Sequence, residues 1–263
     1  MNPRMFKSRN FTGGTNSYCT EAQAYFNAMT VQLNDTYKGF WNTSILAMIA
    51  NGTWGVADVI CVPCMLTEQQ SNLNMKNPTS AIGRLIPNGF GSTFVPKVGY
   101  PGVNANSTYF NTGYAPNGNG VNWTLTNAKV SVKLKDNIQD DNYALGVRYN
   151  GSVVIRSRSI GDTFDGKVNS ASTSVANTNG SGLFSVSTNG TNAYLDRNGT
   201  NLITTASTPT DNPDHELLVS AWYDGAMPAP ALFCNNTIQF VYAGAMHSND
   251  AAINTMINNW LAL

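Results

Sequence analysis

The stretch Gly182–Ile203, GLFSVSTNGTNAYLDRNGTNLI, decides the class of fold. Leu183-Phe-Ser-Val-Ser187 alternates with period two, turns through Asn189-Gly190 into Ala193-Tyr-Leu195, and turns again through Asn198-Gly199 into Leu202-Ile203. Asn-Gly favours the type I′ turn, because both central residues take positive φ, and that turn joins antiparallel strands. The same grammar extends outward. Tyr143-Ala-Leu-Gly-Val-Arg-Tyr149 turns through Asn150-Gly151 into Val153-Val-Ile-Arg156. Val121–Thr126 and Lys129–Lys135 alternate, the second with its lysines on one face, and His215–Trp222 and Thr237–Ala243 read as later strands. Many short strands separated by turn signals from about Thr79 onward predict a sandwich or barrel. The Ser/Thr/Asn/Gly-rich span Gly161–Gly182 reads equally as a long exposed loop or as a weak edge strand around Lys167-Val168.

Helical patterns flank this β region. Thr20–Met29 is helical, with Thr20 at the cap and Gln23 at the capping-box position. Asn34-Asp-Thr36 precedes a second helix, Tyr37–Ala50, in which Phe40, Trp41, Ile45, Met48 and Ile49 form a core stripe that Asn51-Gly52 stops. Trp54–Val62 follows as a strand. At the other end Ser248-Asn-Asp250 caps a helix whose apolar face is Ile253, Met256, Ile257, Trp260 and Leu261. That helix is expected to pack back onto the body.

The chain has 263 residues, 42% hydrophobic and only 11% charged, with 15 cations against 15 anions. A typical domain is about 25% charged. Asparagine fills about one position in eight, so the surface is solvated by neutral hydrogen-bonding groups. No run of like charge suits a nucleic acid, whose phosphates need clusters of Lys and Arg. Met1-Asn-Pro-Arg lacks the apolar region of a secretory signal, and no run approaches the roughly 20 apolar residues of a membrane span.

Residue patterns that carry chemistry are few. Cys61-Val-Pro-Cys64 has CxxC spacing, but Cys19 and Cys234 are lone residues and supply no second ligand pair for zinc. A redox CxxC sits at a helix N-terminus, whereas this one ends an apolar strand-like run, so the thiols are expected to be buried, reduced and structural. No GxSxG, GxxxxGK[ST] or GxGxxG occurs, and no DxDxDG-like loop supports calcium. Asp211-Asn-Pro-Asp-His-Glu216 is the densest acidic cluster. Asp214 and Glu216 have the i, i+2 spacing that shares a face, but Pro213 and the lack of a third carboxylate fit a loop entering a strand. Asp140-Asp141 reads as a solvated turn.

Several segments together resemble a known family. They are the helix, Asn-Gly-Thr-Trp, strand unit before the sandwich; Ser107-Thr-Tyr-Phe-Asn-Thr-Gly-Tyr114 followed by Pro116; the Tyr194–Ile203 hairpin; Phe240-Val-Tyr-Ala-Gly-Ala245; and Ile253–Trp260. They look like the concanavalin-A-like lectin/glucanase (laminin-G-like) fold, in a variant encoded among virion structural proteins of tailed phages. The resemblance implies a mainly β, antiparallel jelly-roll sandwich with N-terminal helices and a C-terminal helix. The residue patterns divide the chain into an arm (1–18), a helical and strand lead-in (19–78), the sandwich (79–246) and the terminal helix (247–263). The resemblance also implies a head-fibre, tail-fibre or capsid-decoration protein, oligomeric among other virion proteins; with the motif and composition readings above, a non-enzymatic protein with no cofactor, metal, nucleic acid or membrane insertion is expected. A neutral, amide-rich surface fits binding of a cell-surface glycan, with Tyr109, Trp123, Trp222, Tyr223 and Asp224 as candidate contacts. A glycoside hydrolase acting through Asp214 and Glu216, or a purely architectural component, are the alternatives.

Overall fold

The computed structural model describes residues 17–90, 94–103, 107–148, 151–223 and 229–263. The N-terminal arm lies almost wholly outside them. In chain order the elements are α1 (Thr20–Asn27), α2 (Asp35–Ala50), α3 (Thr53–Val56), β1 (Ala57–Cys61), α4 (Glu68–Ser71), β2 (Ile86–Asn88), β3 (Tyr109–Asn111) and α5 (Pro116–Asn119). Then follow β4 (Ala128–Leu134), β5 (Leu145–Arg148), β6 (Ser152–Arg156), β7 (Thr163–Val168), β8 (Ala171–Ala176) and β9 (Gly182–Thr188). The chain closes with β10 (Asn192–Arg197), β11 (Thr200–Ala206), β12 (Leu218–Val219), β13 (Ile238–Gly244) and α6 (Asp250–Ala262).

The strands form two antiparallel sheets, ordered β1-β13-β4-β9-β10-β11 and β2-β3-β12-β5-β6-β7-β8. This is the jelly-roll sandwich that the sequence predicts. Period-two alternation sends Val130, Val132, Phe184, Val186 and Val241 from the first sheet, and Phe110, Leu145, Val147, Ile155 and Phe164 from the second, into one shared core. β1, from the lead-in segment, pairs with β13, so lead-in and sandwich share a sheet.

Strands β1, β13, β4 and β9 of the first sheet are buried on both faces, while β11 at its edge is largely exposed. Ile60, Leu183, Phe240 and Tyr242 point outward and pack with Trp41, Ile45, Met48, Ile253, Ile257 and Trp260 of α2 and α6 in a second core. The stripe on α2 is therefore core at Trp41, Ile45 and Met48, while Ile49 is 38% exposed at its margin. The tip of the β10–β11 hairpin runs under the start of α6. Asn198 and Gly199 both take positive φ there, as a type I′ turn requires, and a Cβ on Gly199 would lie 2.5 Å from Ala251. In the β9–β10 turn only Gly190 has positive φ, and the Asn189 side chain instead accepts from Thr191 and Asn192 N–H.

Several sequence expectations need correction. Thr20 is the first helical residue rather than a cap, Cys19 holds the cap position, and Gln23 donates to Asn27; the capping box is at Thr67 and Gln70 instead. Residues 53–56 coil before the strand begins at Ala57. The apolar run at 215–222 is a strand only at Leu218–Val219, because Ser220 adopts φ +67° and turns the chain, after which Trp222 bridges to Ala231. Val121–Thr126 is not a strand: Asp58 accepts from the backbone N–H groups of Val121, Asn122 and Trp123 and from the Tyr114 hydroxyl, gathering that run into a turn. Gly161–Gly182 resolves as the β7–β8 hairpin at the edge of the second sheet. Within the expected cap Ser248-Asn-Asp250, Asn249 holds the cap position of α6, and its amide donates to Asn51 O and Thr53 Oγ1.

The lysines of β4 point into the helix–sheet layer. Lys129 is 1% exposed, and its ammonium donates to Asp250 Oδ2 at 2.8 Å and to the His247 carbonyl at 2.9 Å. His247 lies beside them with its side chain 4% exposed and its ring edge-on to Tyr242. Burial pushes the imidazole down to about 4, with the Lys129 charge adding to it and Asp250 opposing. The free imidazole titrates near 6.5. Between those values the unfolded chain binds the proton and the folded chain does not, so stability rises with pH across that window. It is fully present above about pH 6.5 and falls as pH drops towards 4, by about 3 kcal/mol from this group. Urea unfolding at pH 7 and pH 4.5 is expected to show the loss, and His247→Gln to flatten it.

Candidate functional site

The outer face of the second sheet carries a cleft of about 470 Å³. Alternation builds its floor. Phe110 of β3 enters the core, so Tyr109 and Asn111 face outward; Val219 of β12 enters the core, so Leu218 faces outward beside them. The segment before β12 is pinned against β3 and the following turn. Thr112 donates through both its N–H and its hydroxyl to the Leu217 carbonyl, and Leu217 N–H donates to Tyr114 O. Pro213 is buried, and its carbonyl accepts from Asn117 N–H of α5. These ties hold Asp214, His215 and Glu216 on one wall, with Asn119 of α5 adjoining. Tyr223 also lines the cleft, its ring edge-on to His215 at 5.4 Å.

Beside the cleft the sheet carries further aromatic surface. The Tyr109 ring lies 5.9 Å from that of Phe233. Trp222 lies over Gly146 of β5, where a Cβ would sit 2.9 Å from the indole, so only glycine lets the ring rest on the sheet. Its other neighbour is Tyr143, at 5.7 Å, over which the Arg156 guanidinium is placed at 5.7 Å. Arg156 itself is held by Asp165 at 2.6 Å. A half-exposed row of rings next to amides and carboxylates offers apolar faces for stacking and oxygen and nitrogen groups for hydroxyls.

The five sequence candidates separate. Tyr109 and Tyr223 both line the cleft. Trp222 is half-buried next to it. Trp123 is a correction: it is 4% exposed in the core between the sheets, with its indole N–H donating to Asn169 Oδ1 at 3.0 Å. The turn collected by Asp58 drives the ring inward, away from any ligand. Asp224 lies outside the described residues. Sequence reasoning missed Asn111, Asn119 and His215. Asn111 was legible from the alternation of Tyr109-Phe110-Asn111, whereas Asn119 reaches the cleft only through the tertiary position of α5. Asp214 and Glu216, read as a loop, do come together on the cleft wall.

The CxxC pair is not part of the site. All four cysteines are free; Cys61, Cys64 and Cys234 are buried and Cys19 is half-buried. Burial pushes the Cys64 and Cys234 thiols up to about 12 and raises Cys61 as well. Cys61 and Cys64 donate to the carbonyls of Gly83 and Gln239. Such thiols stay protonated at neutral pH and are inert.

No protein-family model matches the chain, and no curated protein matches it significantly. Solved structures do. The ligand-binding domain of botulinum neurotoxin serotype D in complex with N-acetylneuraminic acid superposes with a TM-score of 0.50 at 10% identity, covering 81% of this chain and 52% of its own. Domain 4 of an extracellular GH43 arabinanase from Geobacillus stearothermophilus, in complex with arabinotriose, gives 0.46 at 11% identity, covering 75% of this chain and all of that one. Domains LG4-5 of the mouse laminin α1 chain give 0.34 at 7% identity, covering 49% and 39%. The chain spans about half the length of the toxin domain. At these identities the likeness is one of fold.

Proposed function

We propose that this protein is a non-enzymatic carbohydrate-binding structural protein that takes a glycan in the cleft between Tyr109 and Tyr223. The observation that carries the reading is the convergence there of two tyrosine rings, the amides of Asn111 and Asn119 and the carboxylates of Asp214 and Glu216. Sugar rings present apolar faces to aromatic side chains and hydroxyl edges to amides and carboxylates, and this cleft supplies both. The fold accommodates such ligands elsewhere, as the toxin domain with N-acetylneuraminic acid illustrates. Placement in a phage virion, as an oligomeric fibre or decoration component, is carried by the sequence resemblance alone, since the sandwich is shared with proteins that are not viral.

A glycoside hydrolase is the second reading, favoured by Asp214 and Glu216 lining the same cleft. Hydrolysis requires two carboxyl groups flanking the scissile bond. A glycan array followed by calorimetry tests both readings. Tyr223→Ala and Tyr109→Ala are each expected to weaken binding by about tenfold, the loss of one stacked ring, with the melting curve unchanged. Bound glycan should be recovered intact after long incubation. Release of reducing ends by the parent protein, lost in Asp214→Asn with Glu216→Gln, would replace the binding reading with the hydrolytic one. Unaltered affinity in both tyrosine variants would remove the cleft from the function.

A further inference from the structure

A second cleft, of about 590 Å³, opens on the other sheet, along the flank of α6. Lys133 and Lys135 reach it from β4 and its extension, Arg197 from the end of β10, and Lys97 from the loop before β3. Four of the chain's 15 cationic side chains thus meet in one concavity, and no carboxylate side chain is among the described residues that line it. Elsewhere Lys129, Arg156 and Arg158 each have an aspartate within 2.8 Å. Here the partners are neutral. Lys97 donates to the Trp260 carbonyl at 2.5 Å, Arg197 to the Ser181 carbonyl at 2.9 Å, and Lys133, 6% exposed, to the Asn254 amide oxygen. These bonds, with the Trp260 ring 3.4 Å from the Lys97 ammonium and the Phe184 ring beside Arg197, orient the cations, but no carboxylate among the described residues pairs with them, and an ammonium buried on neutral partners is costly until an anion arrives. Burial lowers the proton affinity of Lys97 and Lys133, which fits groups held short of a counter-charge.

We propose that this cleft is a second binding site, for an acidic oligosaccharide whose carboxylate or sulfate groups complete the four cations. The sugar class is taken from the function proposed above; the site is separate from it. Amides of Asn179, Asn198, Gln239 and Asn258 adjoin the cations and suit sugar hydroxyls. No aromatic side chain is among the described residues lining the cleft, so unpaired bases find no stacking platform. Arg197 contributes a planar fork that takes a carboxylate or sulfate on two donors.

Calorimetry on the full chain, at low and at physiological salt, tests this with four probes of matched length: oligogalacturonate, a sulfated oligosaccharide, a neutral oligosaccharide and a single-stranded oligodeoxynucleotide. At least one acidic sugar is expected to bind. Its affinity should fall with salt and drop by about tenfold or more in Lys135→Glu and in Arg197→Gln. Lys135 is exposed, so Lys135→Glu keeps the question answerable if Arg197→Gln unfolds. Tyr223→Ala should leave this binding intact. Failure of both acidic probes, indifference to Lys135→Glu, or tighter binding of the oligodeoxynucleotide overturns the inference. Acidic-sugar binding abolished by Tyr223→Ala but not by Lys135→Glu also overturns it, while leaving the first cleft standing. Binding sensitive to Lys135→Glu with no ligand for the first cleft supports it and removes the other.

Discussion

Asp250→Ala is expected to destabilise the protein by about 3–5 kcal/mol, because it leaves a buried ammonium without its counter-charge. Lys129 is 1% exposed, Asp250 lies 2.8 Å away, and the other carboxylate within reach, Asp196, is at 3.9 Å. Burial raises the Asp196 carboxyl, opposed by the Asn201 hydrogen bond and by Lys129. It is therefore a poor substitute for Asp250. The loss should be larger than the worth of the pair itself. Replacing both partners, Lys129→Met with Asp250→Leu, removes the charge and the need for it together, and should cost clearly less than Asp250→Ala alone. Urea unfolding of Lys129→Met, Asp250→Leu and the double variant closes the cycle and gives the coupling directly. A loss under about 1 kcal/mol in Asp250→Ala would mean that solvent reaches Lys129 and that the pair behaves as a surface bridge.

That pair also shows where the sequence stops being informative. Lys129 and Lys133 stand four apart on a strand, which reads as a polar face, and nothing local says that a helix from the chain's end covers it. The Asn-Gly hairpin over 192–206 was legible because its turn is a local demand on backbone φ. The β7–β8 hairpin was not. Of its inward positions Phe164, Gly166 and Val168, the middle one has no side chain, since a Cβ there would meet Leu195 at 2.4 Å. Close packing between sheets thereby erased the alternation that would have announced the strand. The run at 121–126 misled for the opposite reason: its alternation is real, but Asp58, more than sixty positions earlier, takes its backbone donors. The first cleft was half-legible in the same sense. Tyr109 and Tyr223 each stood out, but their meeting depends on β3 and β12 lying side by side in the second sheet. The second cleft draws its four cations from three segments with no shared motif, so only the fold brings them together.

Trp260→Ala is expected to cost about 3–5 kcal/mol, the range for deleting a large buried aromatic side chain. Trp260 is fully buried, with its ring 5.1 Å from Trp41, 5.2 Å from Tyr37 and 5.8 Å from Phe40. The Lys97 ammonium sits 3.4 Å from the ring centroid, and the indole N–H donates to the Cys64 carbonyl at 2.9 Å. Truncation removes the stacking, the cation's ring and the donor to a buried carbonyl in one step. Trp260→Phe keeps a ring but not the N–H, and should lose about 1–3 kcal/mol, the cost of leaving that carbonyl unsatisfied together with a smaller gap in packing. The shape of the transition carries as much as its midpoint. Ile253, Ile257 and Trp260 share one core with Ile60, Leu183, Phe240 and Tyr242 of the first sheet. The helix should therefore melt with the sandwich, so far-ultraviolet dichroism and tryptophan fluorescence should trace one curve in the parent and in Trp260→Phe. Two separated transitions in the parent would show α6 to be an independent flap. In that event the second cleft, which borrows Asn254 and Asn258 from α6, would form and dissolve with the docking of that helix.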